Sequence, residues 1–237
     1  MAVFHLGPKA YSSWSLRPWL LAKELGYEFT EEVHPVSGAG SSSGPHPALG
    51  AVSPSGLVPC LALPNGDAVW DSLAICEYLS EAAGGGRGWP ADPRARAFAR
   101  CISAEMHSGF GAVRAEMPMN VKFALPAPAP LSAAATAQVA RIVRLWADAR
   151  REWGAPSGGG PYLFGAFCAA DAMFAPVALR FRTYAVRVED ALARAYCEAL
   201  LENAHVVAWC AAGRVEGGEL LVERYDLACA DLGGVRV

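Results

Sequence analysis

The chain has no Cys-x-x-Cys pair. Its seven cysteines, at 60, 76, 101, 168, 197, 210 and 229, are odd in number and widely scattered. That spacing offers neither a zinc-binding motif nor a dithiol redox motif, so no metal is expected. It reads instead as buried free thiols in a reducing, cytoplasmic compartment. A basic cluster is also missing, and the net charge is −3 over 237 residues. Both argue against a nucleic-acid partner. No stretch approaches the roughly 18 uninterrupted apolar residues of a membrane span. The first nine residues show neither the charged start nor the long apolar run of a secretory signal. What remains is a chain long enough for one large domain or two small ones, with ample apolar content for a core.

Val3-Phe4-His5-Leu6 reads as a short buried strand, stopped by Gly7-Pro8. A helix from about Ser15 to Leu25 follows and closes at Gly26. Pro18 suits its first turn, where the N–H groups have no partner to lose. Tyr27 to Val33 is a second strand, and strand–helix–strand implies a right-handed crossover with a parallel pair. Residues 37–56, rich in Ser, Gly and Pro, read as a flexible surface loop. A hairpin over 58–71 and a helix over 72–83, with Leu73, Cys76, Leu79 and Ala83 inward, complete a βαβ-ββα order. Gly84 to Gly88 marks a domain boundary.

Beyond it the pattern is helical. Asp92-Pro93 is an N-cap with proline at the first helical position. Phe98, Cys101, Ile102, Met106, Phe110 and Val113 carry one helical stripe to about Met117. On that helix His107, Gly111 and Arg114 would share a face, with Arg100 a heptad earlier. Pro126, Pro128 and Pro130 make a stiff connection. Val139 to Trp153 forms an amphipathic helix, with Arg141, Arg144, Asp148 and Arg151 outside. Ala169 to Phe181 is apolar nearly all round, so that helix should be central, with a kink at Pro176. Two shorter helices, near 189–202 and 203–212, precede the tail.

The element with most chemical content is Gly56-Leu57-Val58-Pro59-Cys60. Pro59 cannot donate a backbone hydrogen bond and belongs at the start of a strand. A cis Val58–Pro59 bond would leave the Val58 N–H and C=O pointing outward, where a peptide-like ligand could pair with them as an added strand would. Asp71-Ser72 then opens a helix whose N-terminus attracts a carboxylate. Its plainer reading is a helix cap, and both can hold at once.

Several segments together resemble the glutathione transferases. They are Tyr11-Ser12-Ser13-Trp14-Ser15-Leu16-Arg17-Pro18-Trp19-Leu20, Gly56-x-Val58-Pro59, Asp71-Ser72-Leu73-Ala74-Ile75-x-x-Tyr78-Leu79, and Ala170-Asp171-Ala172. The serine run is most similar to serine-type, zeta-like and related bacterial-type members. Glu105-Met106-His107 is similar to a stretch of the same group. The resemblance implies a thioredoxin-like glutathione-binding domain over 1–83 and an all-helical domain over 90–237. It also implies glutathione as cosubstrate and a homodimer. In serine-type members one hydroxyl at the start of the first helix donates a hydrogen bond to the glutathione sulfur. Counting back from Arg17 places it at Ser12, with Ser13 and Ser15 as rivals and Ser15 the better helix cap.

The resemblance further implies that Val58 and Pro59 pair with the cysteinyl backbone, that Asp71 and Ser72 hold the γ-glutamyl end, and that Ser13 lies in the same site. Glu105 would approach the glutathione amine of a partner subunit. Trp14, His107 and Arg114 are candidates for the second-substrate side, with a polar domain-interface network as the plain alternative. His34, His46 and Lys9 are candidates for the glycyl carboxylate. Two positions depart from the pattern: Leu57 stands where a polar residue is common, and Cys168 where a Ser or Thr would cap the buried helix, a weakening of about 1 kcal/mol.

Three activities compete. One is transfer of the glutathione thiolate to a small electrophile. Another is glutathione-dependent cis-trans isomerisation of a conjugated diacid, as in a maleylacetoacetate isomerase, for which Arg114 would supply a cation. The third is a non-catalytic glutathione-binding or scaffold role. A thiol-disulfide oxidoreductase is disfavoured because Ser12 stands where a cysteine would be needed.

Overall fold

The structure, a computed structural model, describes residues 1–35, 49–83, 85–154 and 159–237. The serine-glycine run at 37–44, His46, Gly84 and Gly158 lie outside the described residues.

Strands β1 (Ala2–Leu6), β2 (Phe29–Val33), β3 (Cys60–Ala62) and β4 (Ala68–Trp70) form one mixed sheet in the order β2-β1-β3-β4. β1 and β2 run parallel, joined by helix α1 (Ser13–Leu25), and β1–β3 and β3–β4 are antiparallel. Helix α2 (Ser72–Ala82) follows β4 directly, so the βαβ-ββα order holds. β2 begins at Phe29, not Tyr27, because α1 ends in a left-handed turn that uses the intervening residues. Gly26 sits at φ 68°, its N–H donates to the Lys23 carbonyl, and the Tyr27 N–H donates to that of Ala22. On α2 the inward side chains are Ser72, Ile75, Cys76, Leu79 and Ser80, whereas Leu73 and Ala83 are only half-buried.

Helices then dominate: α3 (Pro93–Ser108), α4 (Gly111–Glu116), α5 (Ala133–Ala149), α6 (Ala169–Thr183), α7 (Ala191–Glu202), α8 (Ala204–Val215) and α9 (Glu223–Asp231). The C-terminal part is not wholly helical, since β5 (Phe123–Ala124) pairs antiparallel with β6 (Val235–Arg236). α5 runs on into a wide turn over Arg150–Gly154. α6 is the central helix. Every residue but Arg182 is buried, and it packs against α1 and α3. It remains one helix through Pro176.

The single stripe expected from Phe98 to Met117 is instead two helices. Phe110 takes up a left-handed conformation, φ 59°, and breaks the run between Ser108 and Gly111. Apolar spacing survives such a break because both pieces still bury their faces against the same core. The side chain of Arg114 then folds back on the end of α3. It donates through Nε to the Gly109 carbonyl at 3.0 Å and through Nη2 to those of Met106 and His107. These are the orphan acceptors of a helix terminus, and a cation is the group such a terminus favours. His107 and Arg114 are therefore not neighbours on one continuous helix face.

Candidate functional site

Three chain segments meet at Gly7. A methyl group built there would lie 3.0 Å from Ser12 Oγ and 3.1 Å from Val58 Cγ2. So the end of β1, the start of α1 and the bend before β3 approach one another closely enough that any side chain at Gly7 would have to push Ser12 and Val58 aside by a few tenths of an ångström. The Val58–Pro59 bond is cis, and β3 begins immediately after it, at Cys60. Gly7 read in sequence only as a strand stop; its closeness to Ser12 and Val58 is visible only in three dimensions.

Ser12, not Ser15, is the N-cap of α1. Its Oγ accepts the Ser15 N–H at 3.3 Å and donates to Ser15 Oγ at 2.8 Å. Ser15 sits one turn into the helix, fully buried, and its Oγ also accepts the Gly7 N–H at 3.0 Å. The half-buried Ser12 hydroxyl thus lies at the positive end of a helix and is anchored to the end of β1 through Ser15. Ser13 points elsewhere: its buried Oγ accepts a hydrogen bond from Arg180 Nη2 at 3.2 Å, tying α1 to α6.

Asp71 caps α2 from a left-handed backbone, φ 73°, accepting the Leu73 N–H at 2.8 Å and the Ala74 N–H at 3.2 Å through Oδ1. Its Oδ2 lies 3.2 Å from Nε2 of His107. Burial pushes the His107 imidazole pKa down, against the pull of Asp71. Ser72 Oγ is buried and has no hydrogen-bond partner among the described residues.

Trp14 is the hub beside these groups. The Arg17 guanidinium lies 4.3 Å from its ring centre, that of Arg114 lies 4.6 Å away, and the His107 ring meets it edge-on at 5.3 Å. Arg17 is fully buried, and none of its three guanidinium nitrogens has a hydrogen-bond partner among the described residues. Burial, reinforced by Arg114 and Arg180, drives its pKa well down. Burial brings Arg114 down to about 10 and Arg180 to about 9. The region is therefore rich in buried cation, with Asp71 as a nearby carboxylate.

Other candidates are engaged elsewhere. Lys9 pairs with Glu31 and sits over the rings of Trp19 and Trp209. Glu105 receives both Nε and Nη2 of Arg141 at 2.8 Å, within the same chain. Leu57 is exposed. His34 faces His5 and Glu32 on the sheet.

A thioredoxin-like sheet with a cis-proline before its third strand, joined to a mostly helical C-terminal half, defines a class of fold. Residues 11–82 match the family model described as the glutathione S-transferase N-terminal domain. Among solved structures, the chain is similar to glutathione transferase Omega 3C from Trametes versicolor, at 19% identity and a TM-score of 0.64, over 98% of this chain and 91% of that one. It is also similar to a glutathione transferase homolog from Burkholderia gl BGR1 with bound glutathione, at 23% identity and a TM-score of 0.62, over 91% and 98%. A third is a theta class glutathione S-transferase from the citrus canker pathogen Xanthomonas axonopodis pv. citri with glutathione bound, at 22% and 0.60, again over 91% and 98%. No curated protein sequence matches the chain. The chain is thus similar to a glutathione S-transferase N-terminal domain over residues 11–82 and has, over its length, the fold of the glutathione transferases.

Proposed function

We propose that this protein is a glutathione transferase of the serine type, in which Ser12 stabilises the glutathione thiolate for attack on a small electrophile. The observation that carries the reading is the convergence at Gly7: a hydroxyl at a helix N-terminus beside the Val58–Pro59 bend. Glutathione would lie along that bend, with its cysteinyl backbone paired to Val58 and its sulfur next to Ser12. Its γ-glutamyl carboxylate would reach the start of α2. Ser72, whose buried hydroxyl has no hydrogen-bond partner among the described residues, fits a carboxylate acceptor, and the nearby Arg17 guanidinium, likewise without one among the described residues, favours negative charge there. Asp71 would face the ammonium.

The chemistry is modest in energy. A free thiol has a pKa near 8.5, so only a few per cent is thiolate at neutral pH. Lowering that by about two units needs about 2.7 kcal/mol of differential stabilisation. One hydrogen bond to a charged sulfur, about 1.5–3 kcal/mol, together with the helix dipole, supplies it. To donate to sulfur, the Ser12 proton must turn away from Ser15. Ser15 can then donate to Ser12 in its place, since a hydroxyl both gives and accepts. The thiolate attacks an electrophilic carbon, a C–S bond forms, the leaving group departs with its electron pair, and the thiol proton passes to solvent. Ser12 is a donor throughout and forms no covalent bond.

Diacid isomerisation is the weaker reading, because the Arg114 donors that would hold a second carboxylate are turned onto the carbonyls ending α3. The free thiols support a reducing, cytoplasmic setting as part of this reading, and no described helix is long and apolar enough to cross a membrane. A homodimer, a domain division near 83–90 and a second-substrate side at Trp14 and His107 belong to the same proposal. The test is an ultraviolet difference titration of glutathione at near-neutral pH. A saturable thiolate absorbance that disappears in Ser12→Ala supports the transferase. Glutathione binding without thiolate absorbance would make this a non-catalytic binding protein.

A further inference from the structure

We propose that His5, Glu32 and His34 form a binding site for a divalent transition-metal ion on the sheet. The placement follows from the register. β1 and β2 are parallel, His5 is the register partner of Glu32, and paired residues of neighbouring strands face the same side. His34 stands two residues beyond Glu32 and so returns to that side. Its N–H donates to the Leu6 carbonyl at 2.8 Å, which extends the pairing past the end of β2. Three ligands, two imidazoles and one carboxylate, thus project together from backbone that is hydrogen-bonded on both strands, the rigid support that a preformed site needs.

The distances suit one ion. His5 Nδ1 lies 3.0 Å from His34 Nε2 and 3.3 Å from Glu32 Oε2, and His34 Nε2 lies 3.9 Å from the same oxygen. All three ligand atoms fall within 4.8 Å of one another. Ligands bonded at about 2.0–2.2 Å to a tetrahedral ion are about 3.3 Å apart. Two imidazole nitrogens aimed at each other need something between them, either a shared proton or a cation. The carboxylate beside both supplies the negative charge that favours the cation. His5 is only 6% exposed, which removes water as a competitor at one side. Glu32 is exposed, which leaves an entry path and a fourth position for water. Two imidazoles and one carboxylate select zinc, copper, nickel or cobalt over magnesium or calcium. The ion would clip the edge strand β2 to β1.

The test uses the full chain, stripped with a chelator, with the exposed Cys101 changed to Ser so that a surface thiol does not compete for metal. Zn²⁺ is titrated by calorimetry, and Co²⁺ is followed by its visible spectrum. The expected result is one ion per chain and a Co²⁺ spectrum of the tetrahedral type. A rise in Tm of roughly 5–10 °C should appear when Zn²⁺ exceeds its Kd a hundredfold. Glu32→Gln and His34→Gln change residues that are not fully buried, so both variants should fold, and each should weaken binding at least tenfold. No binding, or binding unaltered in both variants, would overturn the proposal and leave a His5–His34 hydrogen bond in its place. Glutathione titration of Glu32→Gln keeps the two readings separate, because thiolate absorbance should be unchanged in that variant.

Discussion

Asp171 sets up a test of how burial and hydrogen bonding divide the stability of this fold. The carboxylate is fully buried near the start of α6, where Oδ2 accepts the Cys168 N–H at 2.8 Å and Oδ1 accepts the Leu163 N–H at 3.1 Å. Burial raises its pKa from 3.8 to about 6, although both N–H groups pull the other way. The sign is unusual for an acid. Between these two values the folded protein keeps a proton that the unfolded chain has released. Its contribution is therefore complete below the unfolded pKa and falls as pH rises through the folded one. At 1.36 kcal/mol per pKa unit, the loss above pH 6 is about 3 kcal/mol. Asp171→Asn keeps the size and one acceptor oxygen but cannot ionise. Urea unfolding of both proteins at pH 4 and pH 7.5 should show the variant gaining about 2–3 kcal/mol relative to the parent across that interval. Every other titrating group cancels in the difference. Asp171→Ala, which leaves two buried N–H groups without partners at about 1–3 kcal/mol each, should be destabilised at both pH values. Parallel stability curves for parent and Asp171→Asn would refute the claim that this buried carboxylate is ionised at a cost.

Three further outcomes follow from local geometry. Ser12→Ala removes a helix cap and the sulfur donor together, so it should lose about 1 kcal/mol in urea unfolding and raise the thiol pKa of bound glutathione by about 1–2 units. A pKa unchanged from wild type would exclude Ser12 as the donor. Gly7→Ala should weaken glutathione binding at least tenfold by calorimetry while costing about 1–3 kcal/mol of stability, because its methyl displaces Ser12 and Val58 together. Cys168→Ser should stabilise α6 by about 1 kcal/mol and raise Tm by roughly 2–4 °C, since a hydroxyl accepts the helix N–H groups better than a thiol does. A lower Tm would mean that the buried surroundings of residue 168 have no place for a polar group.

Much of the frame was legible from short-range patterning. The βαβ-ββα order followed from two apolar strands, a helix closed by Gly26, and a proline that had to begin a strand. The burial of Ala169–Phe181 was legible because no face of that segment is polar. Helix breaks were less so. Phe110 is apolar and fits a helical stripe, so nothing in its chemistry announces the left-handed turn that divides α3 from α4. The N-cap of α1 was misplaced by three residues, because a run of serines offers several hydroxyls of equal capping ability. Only the turn geometry selects Ser12. Ser13 shows the same limit: it joins Arg180, 167 residues away, across two helices.

The amino-acid order by itself determined which segments pair or coil, where they start and stop within a few residues, and that a hydroxyl would stand at the head of the first helix. Those are consequences of backbone preference and apolar period, both local. The tertiary structure alone decided which polar groups meet. It brought Gly7, Ser12 and Val58 to one point, pressed Arg17 onto Trp14 with no hydrogen-bond partner among the described residues, turned Arg114 toward the end of its neighbouring helix, and aligned His5 with Glu32 and His34. Side-chain encounters between distant residues depend on register and packing angle, which no local pattern encodes.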